Sequence, residues 1–226
     1  MNFDGILFFP VTPFDGQGRI DTGVLADHVA TGVRHGAGGV FPACGTGEYH
    51  ALSLGEVATV VRAAVDQVAG AVPVVAGSGG ALGHAVEAGR AAADAGADAL
   101  LVLPPYLVSG TQNGLVAYVE AIVEASDLPV VVYHRGSAQY TPATVARLAA
   151  DSRVIGFKDG TGDIGVAQQI VRAVAATGRA DFQFFNGLLT AELSQGAYRG
   201  IGIPLYSSAA FAFVPEIANA YYRAYV

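Results

Sequence analysis

Short β-branched or aromatic runs recur along the chain, at 5–11, 39–43, 72–76, 99–103, 130–133, 154–158, 182–185 and 200–203. Runs of this length and composition suit buried strands. Between them lie Ala-rich amphipathic stretches near 22–35, 54–69, 82–95, 112–125, 142–150, 164–177 and 188–197. An eighth begins near Ser208. Strands alternating with helices predict right-handed βαβ units and a parallel sheet. Eight such units in 226 residues predict an α/β fold of the (β/α)8 TIM barrel type. A doubly wound open sheet is the structural alternative, because the pattern carries no strand order.

Local signals support this register. Asp21-Thr22 opens the first helical stretch, and Thr141-Pro142 opens the fifth with a cap residue followed by Pro. Gly36, Gly70, Gly96 and Gly178 each follow a helical stretch, where helices are commonly stopped. Gly36-Ala37-Gly38 and Ala95-Gly96-Ala97-Asp98 fall just before strands and look like one recurring junction. No linker or low-complexity segment divides the chain, so a single domain over 1–226 is expected. Near the end, Phe211, Phe213, Ile217, Tyr221, Tyr222 and Tyr225 put large apolar groups on more than one helical face. A surface helix needs only one apolar stripe. The other face is expected to meet a further C-terminal segment or a neighbouring copy, so a homo-oligomer is expected.

Composition narrows the partners. Hydrophobic residues make up 52% of the chain and charged ones 14%, so most segments can be buried. The net charge is −7 with no basic patch, which argues against nucleic acid. Cys44 is the only cysteine, which excludes an internal disulfide and a CxxC metal site. His28, His35, His50 and His84 show no metal-ligand spacing. The N-terminus lacks a basic region, and its apolar run is interrupted by Pro10. Neither a signal peptide nor a membrane span is expected, and the chain reads as a soluble cytoplasmic protein.

Lys158 is the only lysine; arginine supplies every other basic side chain except histidine. Arginine stays protonated, whereas a desolvated lysine can lose its proton and attack a carbonyl. Lys158 ends the run Val154-Ile155-Gly156-Phe157 and precedes the Gly-rich stretch Asp159-Gly160-Thr161-Gly162. That is a strand leading into a loop, where a barrel carries its chemistry. If Lys158 points inward, alternation sends Gly156 and Val154 inward too, with Phe157 and Ile155 facing the helices. Tyr133 and Val131 share a face of the preceding strand, so a phenol and an amine are expected to converge over the barrel mouth. Such a phenol can shuttle protons.

Other strand ends supply weaker candidates. Gly45-Thr46-Gly47 could hold a carboxylate with backbone N–H groups, or be a plain Gly-rich turn. Asn186-Gly187 and Ser207-Ser208 are candidates for binding a polar substrate. Glu48 is expected to anchor a loop or start a helix, His134 to sit on the rim, and Asp163 to cap a helix. Gly160-Thr161-Gly162-Asp163-Ile164-Gly165 has the GxGxxG outline of a dinucleotide site. The acid expected about twenty residues later is missing, since the next run ends in Asn186.

Cys44-Gly45-Thr46-Gly47-Glu48, Tyr133 and Gly156-Phe157-Lys158-Asp159, in this order, resemble the dihydrodipicolinate synthase and N-acetylneuraminate lyase superfamily. Leu103-Pro104-Pro105-Tyr106-Leu107, Phe185-Asn186-Gly187-Leu188 and Pro204-Leu205-Tyr206-Ser207-Ser208-Ala209 resemble its 5-dehydro-4-deoxyglucarate dehydratase branch. Synthases usually have Thr-Thr where this chain has Gly45-Thr46, a second Tyr at Leu107 and an Arg at Ala138. Cys44 stands where the dehydratase branch tends to have Gly. The resemblance implies a Schiff base on Lys158, proton transfer by Tyr133, and a substrate carboxylate held by Gly45 and Thr46. It also implies decarboxylating dehydration of a sugar acid, with no metal or organic cofactor. Members continue past the barrel into further helices, so that extension is expected to be absent after Val226. A class I aldolase or synthase acting on another 2-oxo acid is one alternative. A non-catalytic sugar-acid-binding barrel is another, against which stands the retention of both Lys158 and Tyr133.

Overall fold

A computed structural model describes residues 1–226. The chain runs through β1 (Ile6–Phe8), α1 (Thr22–Arg34), β2 (Ala37–Val40), α2 (Leu54–Val68), β3 (Val75–Ser78), α3 (Leu82–Asp94), β4 (Ala99–Val102) and α4 (Gln112–Ser126). It continues through β5 (Val130–His134), α5 (Pro142–Leu148), β6 (Val154–Asp159), α6 (Ile164–Ala175), β7 (Gln183–Asn186), α7 (Ala191–Gly200), β8 (Leu205–Ser208) and α8 (Pro215–Tyr225). The strands form one parallel sheet in the order β2-β1-β8-β7-β6-β5-β4-β3. A parallel bridge between Val40 and Val74 brings the two ends of that order together. Sequential neighbours on a closing ring make a (β/α)8 barrel, and the open doubly wound sheet is excluded.

The helices start and stop for local reasons. Asp21, Thr111, Thr141 and Asp163 each accept a hydrogen bond from a first-turn N–H, and Ser53 with Glu56 forms a capping box. Gly36, Gly70, Gly96 and Gly178 all have positive φ, as the stop signals require.

The eighth strand is not 200–203 but Leu205–Ser208. Ile201 and Ile203 give the earlier stretch its strand-like look. Gly202 instead turns there at φ +96°, and the N–H of Ile203 returns to the Tyr198 carbonyl at 2.9 Å. The segment therefore ends α7 before Pro204 releases the chain into β8. The last helix also begins later than Ser208, after a 3-10 turn at Ala210–Ala212, with Pro215 in its first turn.

Alternation along the strands divides the core in two. Leu7, Phe9, Phe41, Val75, Leu101 and Val131 fill the barrel with Tyr133 and Phe185. A larger layer, including Phe8, Val40, Leu100, Val132 and Phe157, packs between barrel and helices. Val154 departs from the expected alternation and joins the outer layer, while Ile155 packs against the inner one. The β5–β6 register slips between the pairs Val130–Val154 and Val131–Gly156, so Ile155 is an extra residue. Such a bulge flips everything before it and leaves Gly156 and Lys158 facing inward.

At the far end Phe211 is buried, whereas Phe213 is 75% and Ile217 68% exposed. Tyr221 and Tyr222 are half-buried and pack against the core, so the apolar surface left uncovered here is chiefly that of Phe213 and Ile217. No helix is long and apolar enough to cross a membrane.

Candidate active site

A pocket of about 920 Å³ opens at the carboxyl ends of the strands, with Lys158 at its floor. Lys158 lies on β6 beside Tyr133 on β5, the two being register partners. Its amine sits 4.2 Å from the centre of the Phe9 ring and 4.2 Å from that of Tyr133. The residue is 5% exposed and forms no ion pair with an acid. Burial lowers the affinity of the amine for its proton, and the positive charge of Arg135 adds to that. The neighbouring Tyr133 and Cys44 oppose the shift but do not outweigh burial. Cys44 provides no counter-charge, because burial pushes its thiol up to about 12. The result is an amine biased toward its neutral, nucleophilic form.

Tyr133 is held from two sides. Its hydroxyl donates to the Gly187 carbonyl at 3.0 Å and accepts from the Arg135 guanidinium at 3.2 Å. Two glycines make this packing possible. A Cβ on Gly160 would stand 2.8 Å from the Tyr133 ring, and one on Gly187 would stand 2.8 Å from Cγ of Lys158. Both are closer than side-chain atoms ordinarily approach. Inward-facing Gly156 leaves no open space beneath the amine, because the Phe185 ring lies 2.7 Å from where a Cβ would stand.

The loop after β2 faces the same pocket through Gly45 and Thr46. Thr12 ties this loop to the one after β1 by donating to the Gly47 carbonyl at 2.7 Å. The N–H groups of Gly45, Thr46 and Gly47 have no acceptor within the protein. Successive free N–H groups suit an anion.

Several expected residues lie elsewhere. Asn186 is fully buried, and its amide donates to Ala191, Ser194 and Gln195 of α7. It points outward and fixes a helix, so it does not reach the pocket. Gly187, next to it, does. Ser207 pairs with inward-facing Leu7 and Ser208 with outward-facing Phe8, yet both border the pocket. The Ser208 hydroxyl is already engaged there, donating to Glu192 and accepting from the N–H of Phe211 at 3.1 Å. His134 is not a rim residue; it is buried in the outer layer and accepts from the N–H of Tyr140 at 3.0 Å. Glu48 starts a 3-10 turn at Tyr49–Ala51, as expected, through its carbonyl, which accepts from the N–H of Ala51 at 2.8 Å; its exposed side chain makes no cap bond. Asp163 caps α6, as expected.

The GxGxxG stretch also has a structural explanation. Asp159 accepts from the N–H groups of Thr161 and Gly162 and from the Tyr198 hydroxyl. Its carboxylate takes the loop donors that a phosphate would need. Tyr198 is buried, and burial with the adjacent Asp159 keeps its phenol protonated. A separate cavity of about 770 Å³ lies by the opposite strand ends, lined by Gln183 and Leu205. Its arginines are engaged: Arg179 with Asp181, Arg199 with the Tyr225 carbonyl. No three His, Cys, Asp or Glu side chains gather as metal ligands would.

Two site residues escaped the sequence reading. Phe9 supplies one wall of the amine, and its inward place on alternation from Leu7 was the available signal. Arg135 was visible only as the residue ending a strand.

The dihydrodipicolinate synthetase family model matches residues 2–226. The chain belongs to this family. Among family relatives, a probable 5-dehydro-4-deoxyglucarate dehydratase of Streptomyces griseus is 53% identical over 97% of this chain and 69% of its own length. A probable enzyme of the same name from Paracidovorax citrulli is 39% identical over 97% of this chain and 72% of its own. The crystal structure of dihydrodipicolinate synthase from Oceanobacillus iheyensis superposes with a TM-score of 0.90. That family member is 29% identical and is covered over 73% of its length by 99% of this chain.

The buried amine has a consequence for stability. In the unfolded chain Lys158 holds its proton up to the ordinary value of 10.5, and in the fold it releases it at lower pH. The unfolded state therefore binds more protons between the two values, and stability rises with pH there. The cost of burying the amine is fully present below the folded value and is lost as pH rises through 10.5. Lys158→Met preserves length and removes the titration. It should unfold at a higher temperature than the parent at neutral pH, with the gap closing toward pH 10.5. Melting below the parent at neutral pH, with no trend on raising it, would contradict a strained amine.

Proposed function

We propose that the chain is a Schiff-base hydro-lyase that converts 5-dehydro-4-deoxy-D-glucarate to 2,5-dioxopentanoate, water and carbon dioxide. The observation that carries this reading is a buried amine without a counter-ion, flanked by a phenol at the carboxyl end of a barrel. The 53% identity to a relative named as a probable 5-dehydro-4-deoxyglucarate dehydratase supports this choice of substrate. Synthases of the fold are more distant, at 29% for the Oceanobacillus protein.

The chemistry follows from the positions. Lys158 attacks the ketone as a free amine, and Tyr133 gives its proton to the departing carbinolamine hydroxyl, so that water leaves and the iminium stands beside a phenolate. The Gly45–Gly47 N–H groups hold the carboxylate beside it. The iminium acidifies the adjacent CH2, and the Tyr133 phenolate takes a proton from it. The enamine expels the β-hydroxyl, with Tyr133 returning a proton to the leaving oxygen. The unsaturated iminium then accepts the electron pair released when the distal carboxylate departs as carbon dioxide. Protonation and hydrolysis release the dioxo acid and restore the amine. Ser207 contacts a substrate hydroxyl at the mouth. Exposed Leu193, Phe213 and Ile217 support assembly as a homo-oligomer, which would cover such surface.

A single-turnover assay tests the reading. Each substrate should give one carbon dioxide and one 2,5-dioxopentanoate. Cleavage into two carbonyl fragments without carbon dioxide would make the chain an aldolase. Recovery of unchanged substrate would make it a binding protein.

A further inference from the structure

The pocket has a charge pattern opposite to that of the chain. The protein carries a net charge of −7, yet no Asp or Glu lines the pocket. Apart from Lys158, Arg135 is the only lining side chain with a permanent positive charge. Arg135 forms no ion pair, and its one side-chain hydrogen bond uses Nη1, on Tyr133. Nε and Nη2 are left without partners, although a guanidinium presents five donors in a fork that fits a carboxylate.

Its backbone is fixed. Arg135 and Ala138 exchange both of their N–H to carbonyl bonds, at 3.1 and 3.0 Å, around a turn in which Gly136 has φ +56°. Ser137 donates to the Pro105 carbonyl at 2.7 Å and pins this turn to the loop after β4. An exposed guanidinium on a braced turn loses less freedom on binding than one on a free loop.

We propose that Arg135 binds the distal carboxylate of the substrate, so that the site selects 2-oxo diacids over 2-oxo monoacids of the same length. This rests on the reading that Lys158 forms an imine with a 2-oxo acid. One end of the ligand is then fixed by the imine and by the free N–H groups after β2. The other end meets Arg135 at the end of β5, beside the hydroxyl of Tyr133. Decarboxylation removes the charge that Arg135 holds. Arg135 therefore acts in capture and positioning, and its loss should weaken half-saturation more than turnover.

Borohydride trapping of the full chain reads this without requiring turnover. The probes are 2-oxoadipate and 2-oxohexanoate, which share length and the reacting end and lack a leaving hydroxyl. The parent should reach half-maximal trapping at about 10–100-fold lower 2-oxoadipate than 2-oxohexanoate. Arg135→Gln acts on both acids alike through the amine and Tyr133, but it should raise the 2-oxoadipate value more than the 2-oxohexanoate value and bring the ratio of the two close to one. Arg135→Lys should restore part of the preference. Equal trapping of both acids by the parent overturns the proposal, as does an equal loss for both acids in Arg135→Gln. If the parent traps neither acid, the imine reading itself fails, and the two failures are thereby told apart.

Discussion

Borohydride added with 5-dehydro-4-deoxy-D-glucarate should leave one reduced adduct, on the peptide that holds Lys158. Lys158→Arg should abolish both the adduct and carbon dioxide release. The expectation follows from charge as much as from position. A buried amine with no acid beside it is poorly solvated as a cation, by more than the two ring faces at 4.2 Å offset, and so is biased toward the free base that can attack. A guanidinium in the same place stays charged and has no nucleophilic lone pair. It would also be a buried charge without a partner, so the variant should melt below the parent. Thermal unfolding beside the mass measurement separates loss of chemistry from loss of fold. The N-terminus is the one other primary amine in the chain. An adduct that persists in Lys158→Arg would place the chemistry there and remove Lys158 from the mechanism.

How much of this was legible in the sequence depended on whether a residue's role is local. Seven strands and the helices between them were readable because burial on both faces leaves continuous apolar runs. The eighth strand was not: Leu205-Tyr206-Ser207-Ser208 is half polar, while Gly200–Ile203 has the apolar look and the wrong geometry. Inward placement of Lys158 and Tyr133 was readable from period two, since alternation holds within each strand end. Val154 was misplaced because a bulge shows itself only against the neighbouring strand. Asn186 was misjudged for a related reason. It is a polar residue at a strand end, and only the packed helix α7 reveals that its hydrogen bonds are already taken. Arg135 went unassigned because an arginine on a loop means little until the pocket around it proves empty of acids.

Tyr133→Phe should lower turnover by roughly 10²–10⁴-fold while the imine on Lys158 still forms, more slowly. The substitution keeps the ring that packs 4.2 Å from the amine, so the burial that lowers the amine's affinity for its proton is preserved. It removes only the oxygen bonded to Gly187 and to Arg135. What is lost is the group that carries a proton between the CH2 and the departing hydroxyl. Proton exchange at that carbon isolates the step. With 2-oxoadipate in heavy water, the parent should exchange the CH2 hydrogens next to the ketone through the enamine, and Tyr133→Phe should not. Trapping with borohydride should succeed in both. A purely structural role for the phenol predicts a different pattern, with trapping and exchange falling together and a lower melting temperature, because the Gly187 carbonyl loses its donor. Turnover within tenfold of the parent would take Tyr133 out of the reaction, and the proton carrier would have to be sought among substrate groups or water.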